Sequence, residues 1–115
     1  MTLTKELTDL IEENNYSIYD GGDYLEFQRY SSAGQDFSFC VDCNGSIDEL
    51  MNNIIDYYMG FDVSYETSLW IGEDGHGKNG APYEIKDICA DMEECREFIN
   101  ELFRIVKSYA DKTRR

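Results

Sequence analysis

The fold of this chain is decided by the heptapeptide YLEFQRY at residues 24–30, the turn sequence SSAG at residues 31–34 and the heptapeptide DFSFCVD at residues 36–42. Apolar side chains alternate with polar ones in both heptapeptides. Leu25 and Phe27 share one face of the first with Arg29, and Phe37, Phe39 and Val41 share one face of the second. This period of two, with aromatic and β-branched residues, predicts a β-hairpin whose apolar face must be covered by helices.

The opposite face of the predicted hairpin carries carboxylates and tyrosine hydroxyls, including those of Tyr24, Glu26, Tyr30 and Asp42. A shorter strand is predicted at residues 16–19, ahead of a turn at residues 20–23 that is rich in Gly and Asp. The hairpin therefore becomes a meander of at least three strands.

Two helices flank this meander in the sequence. Apolar residues at helical spacing predict the first from a cap at Thr2 or Thr4 to residues 14–15. The second begins with the capping box formed by Ser46 and Glu49. We expect it to end at Gly60 in a left-handed C-cap.

The rest of the chain is predicted to add one strand and further helices. Residues 62–66 are expected to be irregular, residues 67–71 to form a fourth strand, and residues 72–80 to form a glycine-rich loop. A short helix at residues 83–90 and a long terminal helix capped by Asp91 and Glu94 would follow. The predicted class is α+β, a single domain over residues 1–115 with three to four antiparallel strands, in the order helix-strand-strand-strand-helix-strand-helix.

Net charge is the most informative property of the composition. The chain carries 24 acidic and 10 basic side chains, a net charge of −14. Residues 1–77 hold 16 acids and two bases, whereas residues 78–115 hold eight of each, so the first part alone carries the net −14. Such a field repels phosphate groups and attracts cations, which disfavours direct nucleic-acid binding and favours a basic protein partner.

No motif in the sequence supports a cofactor, a metal or catalysis. The run from Gly72 to Asn79 resembles a phosphate-binding loop, but Asn79 replaces the required Ser or Thr and two acids lie inside the loop. Cys40 and Cys43 have zinc-ligand spacing without a second standard pair, and neighbouring acids are expected to raise the pKa of their thiols. The alternating residues Asp42, Asn44, Ser46 and Asp48 lack the glycine and the closing Glu of a calcium loop. The lone His76 has no catalytic partner, so we predict a protein that is not an enzyme.

Cellular location follows from the absence of apolar segments. No apolar run approaches the roughly 20 residues of a membrane span, and the N-terminal sequence MTLTKE lacks the apolar stretch of a signal peptide. We therefore expect a cytoplasmic protein with no membrane partner, whose four cysteines are thiols.

The carboxylates remain as candidate functional groups. Several are expected to be compensated by nearby bases, as in the pairs Lys5–Asp9 and Glu101–Arg104. From Gly34 to Gly77 the sequence has no Lys or Arg. The predicted partner-binding residues are the uncompensated acids and the tyrosines among them: Asp42, Asp48, Asp56, Asp62, Glu66, Glu73, Asp74, Tyr24, Tyr30 and Tyr65. These residues would form an acidic interaction face, the alternative being a charged surface that only confers solubility.

Four segments resemble a group of small acidic proteins carried by phages and conjugative elements, some of which are anti-CRISPR proteins. The segments are residues 30–39, 47–50, 57–62 and 69–71. The resemblance implies a bacterial host cell and inhibition of a nucleic-acid-binding defence complex, either a CRISPR–Cas or a restriction effector. An inhibitor of this kind could act as a nucleic-acid mimic. The alternative function is a homo-oligomeric accessory or regulatory module of a mobile element.

Overall fold

The computed structural model describes residues 3–43 and 45–113. Within them, three strands form an antiparallel sheet in the order β1-β2-β3: β1 Ser17–Asp20, β2 Tyr24–Tyr30 and β3 Asp36–Asp42. The helices are α1 Lys5–Glu13, α2 Ile47–Gly60, α3 Val63–Ser68 and α4 Ile85–Thr113. The predicted α+β class and the meander are confirmed. No helix in the described residues is long and apolar enough to cross a membrane.

The β2–β3 hairpin has the register that the alternation of side chains predicts. Leu25 lies opposite Val41, and Phe27 lies opposite Phe39 with 5.6 Å between the ring centroids. All four of these side chains are buried. Helices cover this face, so the opposite face of the sheet is open.

The predicted starts of α1 and α2 are confirmed by their capping hydrogen bonds. The Thr4 hydroxyl accepts a hydrogen bond from the Leu7 amide at 3.2 Å, and the Ser46 hydroxyl accepts one from the Glu49 amide at 3.2 Å. Asn14 ends α1, and Asn15 has a φ of 74°. The other predicted cap, Thr2, and the rejected calcium ligand Asn44 lie outside the described residues.

The predicted left-handed end of α2 is wrong. Gly60 is the last residue of the helix, and Phe61 leaves it in an extended conformation, with φ −78° and ψ 112°. The reason is that the Phe61 ring is buried, with its edge towards the face of Phe37 at 5.9 Å. An extended exit places that ring in the core and starts the next helix at once.

The predicted irregular segment at residues 62–66 and the fourth strand at residues 67–71 are both wrong, because residues 63–68 form α3. The Asp62 carboxylate caps α3 by accepting a hydrogen bond from the Tyr65 amide at 3.2 Å. Thr67 is buried and α3 packs on α4. Of the predicted strand, only Ile71 makes a β-bridge, to Gly77 in its own turn. The Asp62 cap, the burial of Thr67 and the packing on α4 favour a helix over the strand that the local composition predicts.

The predicted break before Asp91 is also wrong. Residues 85–113 form one helix of 29 residues, about 44 Å long at 1.5 Å per residue. No Gly or Pro interrupts this segment, and a buried stripe passes without a gap from Ile88 through Met92 and Cys95 to Val106. Asp91 belongs to that stripe instead of capping a helix, and α4 accounts for the elongated molecular extents of 53 × 24 × 24 Å.

Candidate interaction surface

Four of the predicted contact residues lie where α2 meets α3. We call this region the α2–α3 corner and define it by Asp56, Tyr57, Asp62, Tyr65 and Glu66. Asp56, Tyr57 and Glu66 line one surface hollow of about 370 Å³. Asp56, Asp62 and Tyr65 are exposed, and Glu66 is half-buried. The corner therefore presents three carboxylates and two phenol rings to solvent.

The remaining predicted acids lie elsewhere. Asp42 ends β3, where its carbonyl accepts a hydrogen bond from the Asn53 side chain at 2.7 Å. Asp48 lies in the first turn of α2, eight residues and about 12 Å along the helix from Asp56. Glu73 and Asp74 occupy the turn after α3. The structure thus distributes the seven acids over four places, and their contact with a partner stays a prediction.

The predicted tyrosines also divide between two surfaces. Tyr24 and Tyr30 lie on the open face of the sheet, where Tyr30 is 65% exposed and the Tyr24 ring lies 6.3 Å from that of Tyr19. Burial, together with Tyr19, Cys40 and nearby carboxylates, raises the pKa of Tyr24. Tyr65 lies on α3 and is 59% exposed. An aromatic contact surface is therefore available on the open sheet and, separately, at the α2–α3 corner.

The basic side chain of β2 is used inside the molecule. The Arg29 guanidinium donates a hydrogen bond to the Glu101 carboxylate at 2.7 Å and lies 4.2 Å from the Phe98 ring centroid. The predicted pairing of Glu101 with Arg104 is wrong, because Arg29 reaches α4 from the covered face of the sheet and takes Glu101. The predicted pair Lys5–Asp9 is confirmed at 2.7 Å.

The acids of the α2–α3 corner have no such compensation. The salt bridges among the described residues are Lys5–Asp9, Arg29–Glu101 and Lys107–Asp111. None of them includes Asp56, Asp62 or Glu66. Residues 34–77 contain no Lys or Arg. The Arg96 guanidinium of α4 lies nearby, 4.7 Å from the Tyr58 ring centroid, but it forms no salt bridge with these acids, so their carboxylates remain available to a cation of a partner.

The predicted rise in the pKa of both thiols of the cysteine pair is confirmed, but its main cause is burial and not the neighbouring acids. Burial, followed by Glu26, raises the pKa of Cys40, and burial raises the pKa of Cys43. The Cys40 thiol lies on the open sheet face, 3.7 Å from the Glu26 carboxylate. No disulfide joins the four cysteines, all of which lie in the described residues.

The glycine-rich segment forms a tight turn. The Gly72 amide donates a hydrogen bond to the His76 carbonyl at 2.7 Å, and the Asp74 carboxylate accepts one from the His76 amide at 3.0 Å. The His76 ring stacks on Tyr83 with 3.9 Å between centroids. Helix α4 begins at Ile85, so Lys78 and Asn79 do not open a helix as a phosphate-binding loop requires.

Two features of the structure were missed by sequence reasoning. Asp91 is buried in α4, and neighbouring Glu94 accepts a hydrogen bond from the Ser32 hydroxyl at 2.7 Å instead of completing a cap. The second feature is an aromatic cavity beside the α2–α3 corner. The signal in the sequence was the spacing of Tyr57 and Phe61, which are four residues apart where α2 ends.

Comparison with known proteins identifies no relative: no family model, no curated protein and no solved structure matches this chain. Function must therefore be inferred from the charge and geometry of the surface.

Proposed function

We propose that this protein is a non-enzymatic inhibitor that binds the basic nucleic-acid-binding surface of a bacterial defence effector, either a CRISPR–Cas or a restriction complex. The observation that carries the proposal is the uncompensated charge: residues 1–77 hold the entire net −14, and the acids of the α2–α3 corner form no salt bridge within the described residues. The resemblance to acidic mobile-element proteins supports this choice of partner.

Physical chemistry explains how such a surface would inhibit. A groove that binds nucleic acid holds lysines and arginines that neutralise phosphates and release counterions. Carboxylates presented by a folded protein satisfy the same cations, steer the approach of the two proteins and exclude the nucleic acid by occupancy. Binding alone is sufficient, and the mechanism needs no bond to be made or broken.

The test is capture of a partner from host lysate, followed by measurement of its association rate. The variant Asp56→Asn, Asp62→Asn, Glu73→Gln removes two negative charges from the α2–α3 corner and one from the turn after α3. The control variant Glu84→Gln, Glu93→Gln, Glu97→Gln removes the same charge from exposed positions on and just before α4. Glu94 is left out of the control because it bonds to Ser32.

We expect the first variant to slow association at least about tenfold and the control to change it by less than about threefold. Binding of the unaltered protein should weaken between about 50 and 200 mM salt. Recovery of no nucleic-acid-binding protein, or binding indifferent to salt, would contradict the proposal.

A second function is favoured by the open face of the sheet. Tyr24 and Tyr30 lie there, and β1 and β3 each pair on one side only. A second copy of the chain could cover this face, which would make the protein a homo-oligomeric accessory or regulatory module of a mobile element. Light scattering distinguishes the two, because a monomer at high protein concentration contradicts the oligomeric module.

A further inference from the structure

A cavity of about 210 Å³ lies between the start of β3 and the helices at the α2–α3 corner. Four aromatic side chains from separate parts of the chain line it: Phe37 of β3, Tyr57 of α2, and Phe61 and Trp70, which flank α3. Tyr57 is 36% exposed, so the cavity is accessible from solvent. We call this group of four aromatic residues around one surface cavity the aromatic cage.

The same cavity is lined by two carboxylates, Asp36 and Glu66. Glu66 also lines the adjacent hollow that contains Asp56, and no lysine or arginine in the described residues forms a salt bridge with it. Burial and the nearby Glu66 carboxylate raise the pKa of Tyr57, which places the Tyr57 hydroxyl within the field of that negative charge. An apolar ligand would leave these carboxylates without a counter-charge.

We propose that this cavity binds the side chain of an arginine presented by a partner protein. Aromatic faces attract cations through their quadrupole: cages of several rings bind quaternary ammonium groups, and guanidinium groups stack on single rings. The cavity volume suits an arginine side chain. At about 30 Å³ per liquid water, the cavity has room for roughly seven water molecules, and the side chain has seven non-hydrogen atoms.

Arginine fits better than lysine for two physical reasons. Its planar, weakly hydrated guanidinium stacks on aromatic rings, and its fork of N–H donors matches a carboxylate such as that of Glu66. A lysine ammonium is a strongly hydrated point charge, and it would lose more solvation on entering an aromatic cage. The inference rests on the proposed function because it takes the occupant from a basic protein partner.

The experiment uses Trp70, the single tryptophan of the chain, as the reporter. Its fluorescence is followed while the peptide acetyl-Gly-Arg-Gly-amide is added at constant ionic strength. Control peptides replace arginine by citrulline, which has the same shape without charge, or by lysine. The protein variants are Glu66→Gln and, as a matched control, Glu84→Gln, an exposed carboxylate just before α4 that does not line the cavity.

We expect saturable binding of the arginine peptide, weakened about tenfold when citrulline replaces the arginine or when Glu66 is changed to Gln, and unchanged by Glu84→Gln. No saturable change, or equal titrations with arginine and citrulline, would overturn the proposal. Equal affinity for the lysine peptide would overturn the assignment to a guanidinium.

The outcome can be separated from that of the proposed function. If the arginine peptide binds but lysate yields no nucleic-acid-binding partner, arginine binding in the cavity is supported and the inhibitor function is contradicted. Suppose instead that a partner is captured, that Glu66→Gln leaves the affinity for that partner unchanged, and that the variant at Asp56, Asp62 and Glu73 weakens it. The inhibitor function is then supported, and arginine binding in the cavity is contradicted.

Discussion

Replacement of Asp91 by asparagine is expected to stabilise the protein at neutral pH. Asp91 is 5% exposed inside α4, and neither carboxylate oxygen has a hydrogen-bond partner in the structure. Burial raises the pKa of this carboxyl, and the Glu94 carboxylate raises it further. The nearby Ser31 hydroxyl lowers the pKa, but it is not placed to form a hydrogen bond of ordinary geometry with Asp91. The folded state therefore disfavours the charged form of Asp91.

The expected gain follows from the cost of an unsatisfied buried group. Such a group costs about 1–3 kcal/mol, and more when it is charged. Asparagine keeps the size of Asp91 and removes the charge but leaves an amide in the same place, so we expect a gain of about 1 kcal/mol. For a chain of 115 residues, an unfolding entropy of about 2.1 cal/mol/K per residue converts this gain into a rise in Tm of about 4 °C.

The gain should depend on pH in a defined direction. Because the folded-state pKa of Asp91 is raised, the native protein retains this proton to a higher pH than the unfolded chain does. Below the unfolded pKa of about 3.9 the carboxyl is neutral in both states and carries no charge penalty. As the pH rises through the folded-state pKa, Asp91 becomes charged in the native protein and the free energy of unfolding falls. The advantage of Asp91→Asn therefore grows from acid to neutral pH.

Urea denaturation of both proteins between about pH 4 and pH 7.5 measures this difference. Asp87→Asn is the matched control, because Asp87 is an exposed carboxylate one turn earlier on α4. If Asp91→Asn lowers the free energy of unfolding at pH 7, or if its effect is the same at every pH, the Asp91 carboxylate has a favourable partner and the reasoning is refuted.

Two further predictions concern the hairpin and the start of α2. Phe27→Ala should lower the free energy of unfolding by about 3–5 kcal/mol, because Phe27 is fully buried against Phe39. The control is Gln28→Ala on the open face of the sheet. An equal urea midpoint for the two variants would contradict the packing argument. Ser46→Ala should lower the free energy of unfolding by about 1 kcal/mol by removing the cap of α2, whereas Ser46→Asp should retain most of the stability. Equal thermal melts for the two variants would show that the cap contributes nothing.

The features that the sequence determined by itself are those that depend on neighbours along the chain. The period of two in residues 24–30 and 36–42 defines the hairpin and its buried face, because a strand turns alternate side chains to opposite sides. Thr4 and Ser46 begin helices because a hydroxyl at that position accepts a hydrogen bond from an amide three residues later. The charge distribution is also a property of the sequence alone.

Other local signals failed where contacts distant in sequence prevailed. The β-branched and aromatic run after Glu66 favoured a strand, but the Asp62 cap, the burial of Thr67 and the packing on α4 made part of the segment helical. Asp91 and Glu94 have the spacing of a cap, yet the apolar stripe of α4 passes through that point without a break. A local pattern of this strength changes the free energy by about 1 kcal/mol, which burial of one large side chain exceeds.

Only the tertiary structure decided how the candidate site is assembled. Phe37, Tyr57 and Trp70 are separated by 13 residues or more along the chain, and they meet because α2 packs beside β3 while α3 turns back at Phe61. Likewise, Arg29 finds Glu101 across 72 residues, which removes one cation from the acidic surface. The sequence determined how much charge this protein carries, and the packing of helices on the sheet decided which carboxylates remain uncompensated.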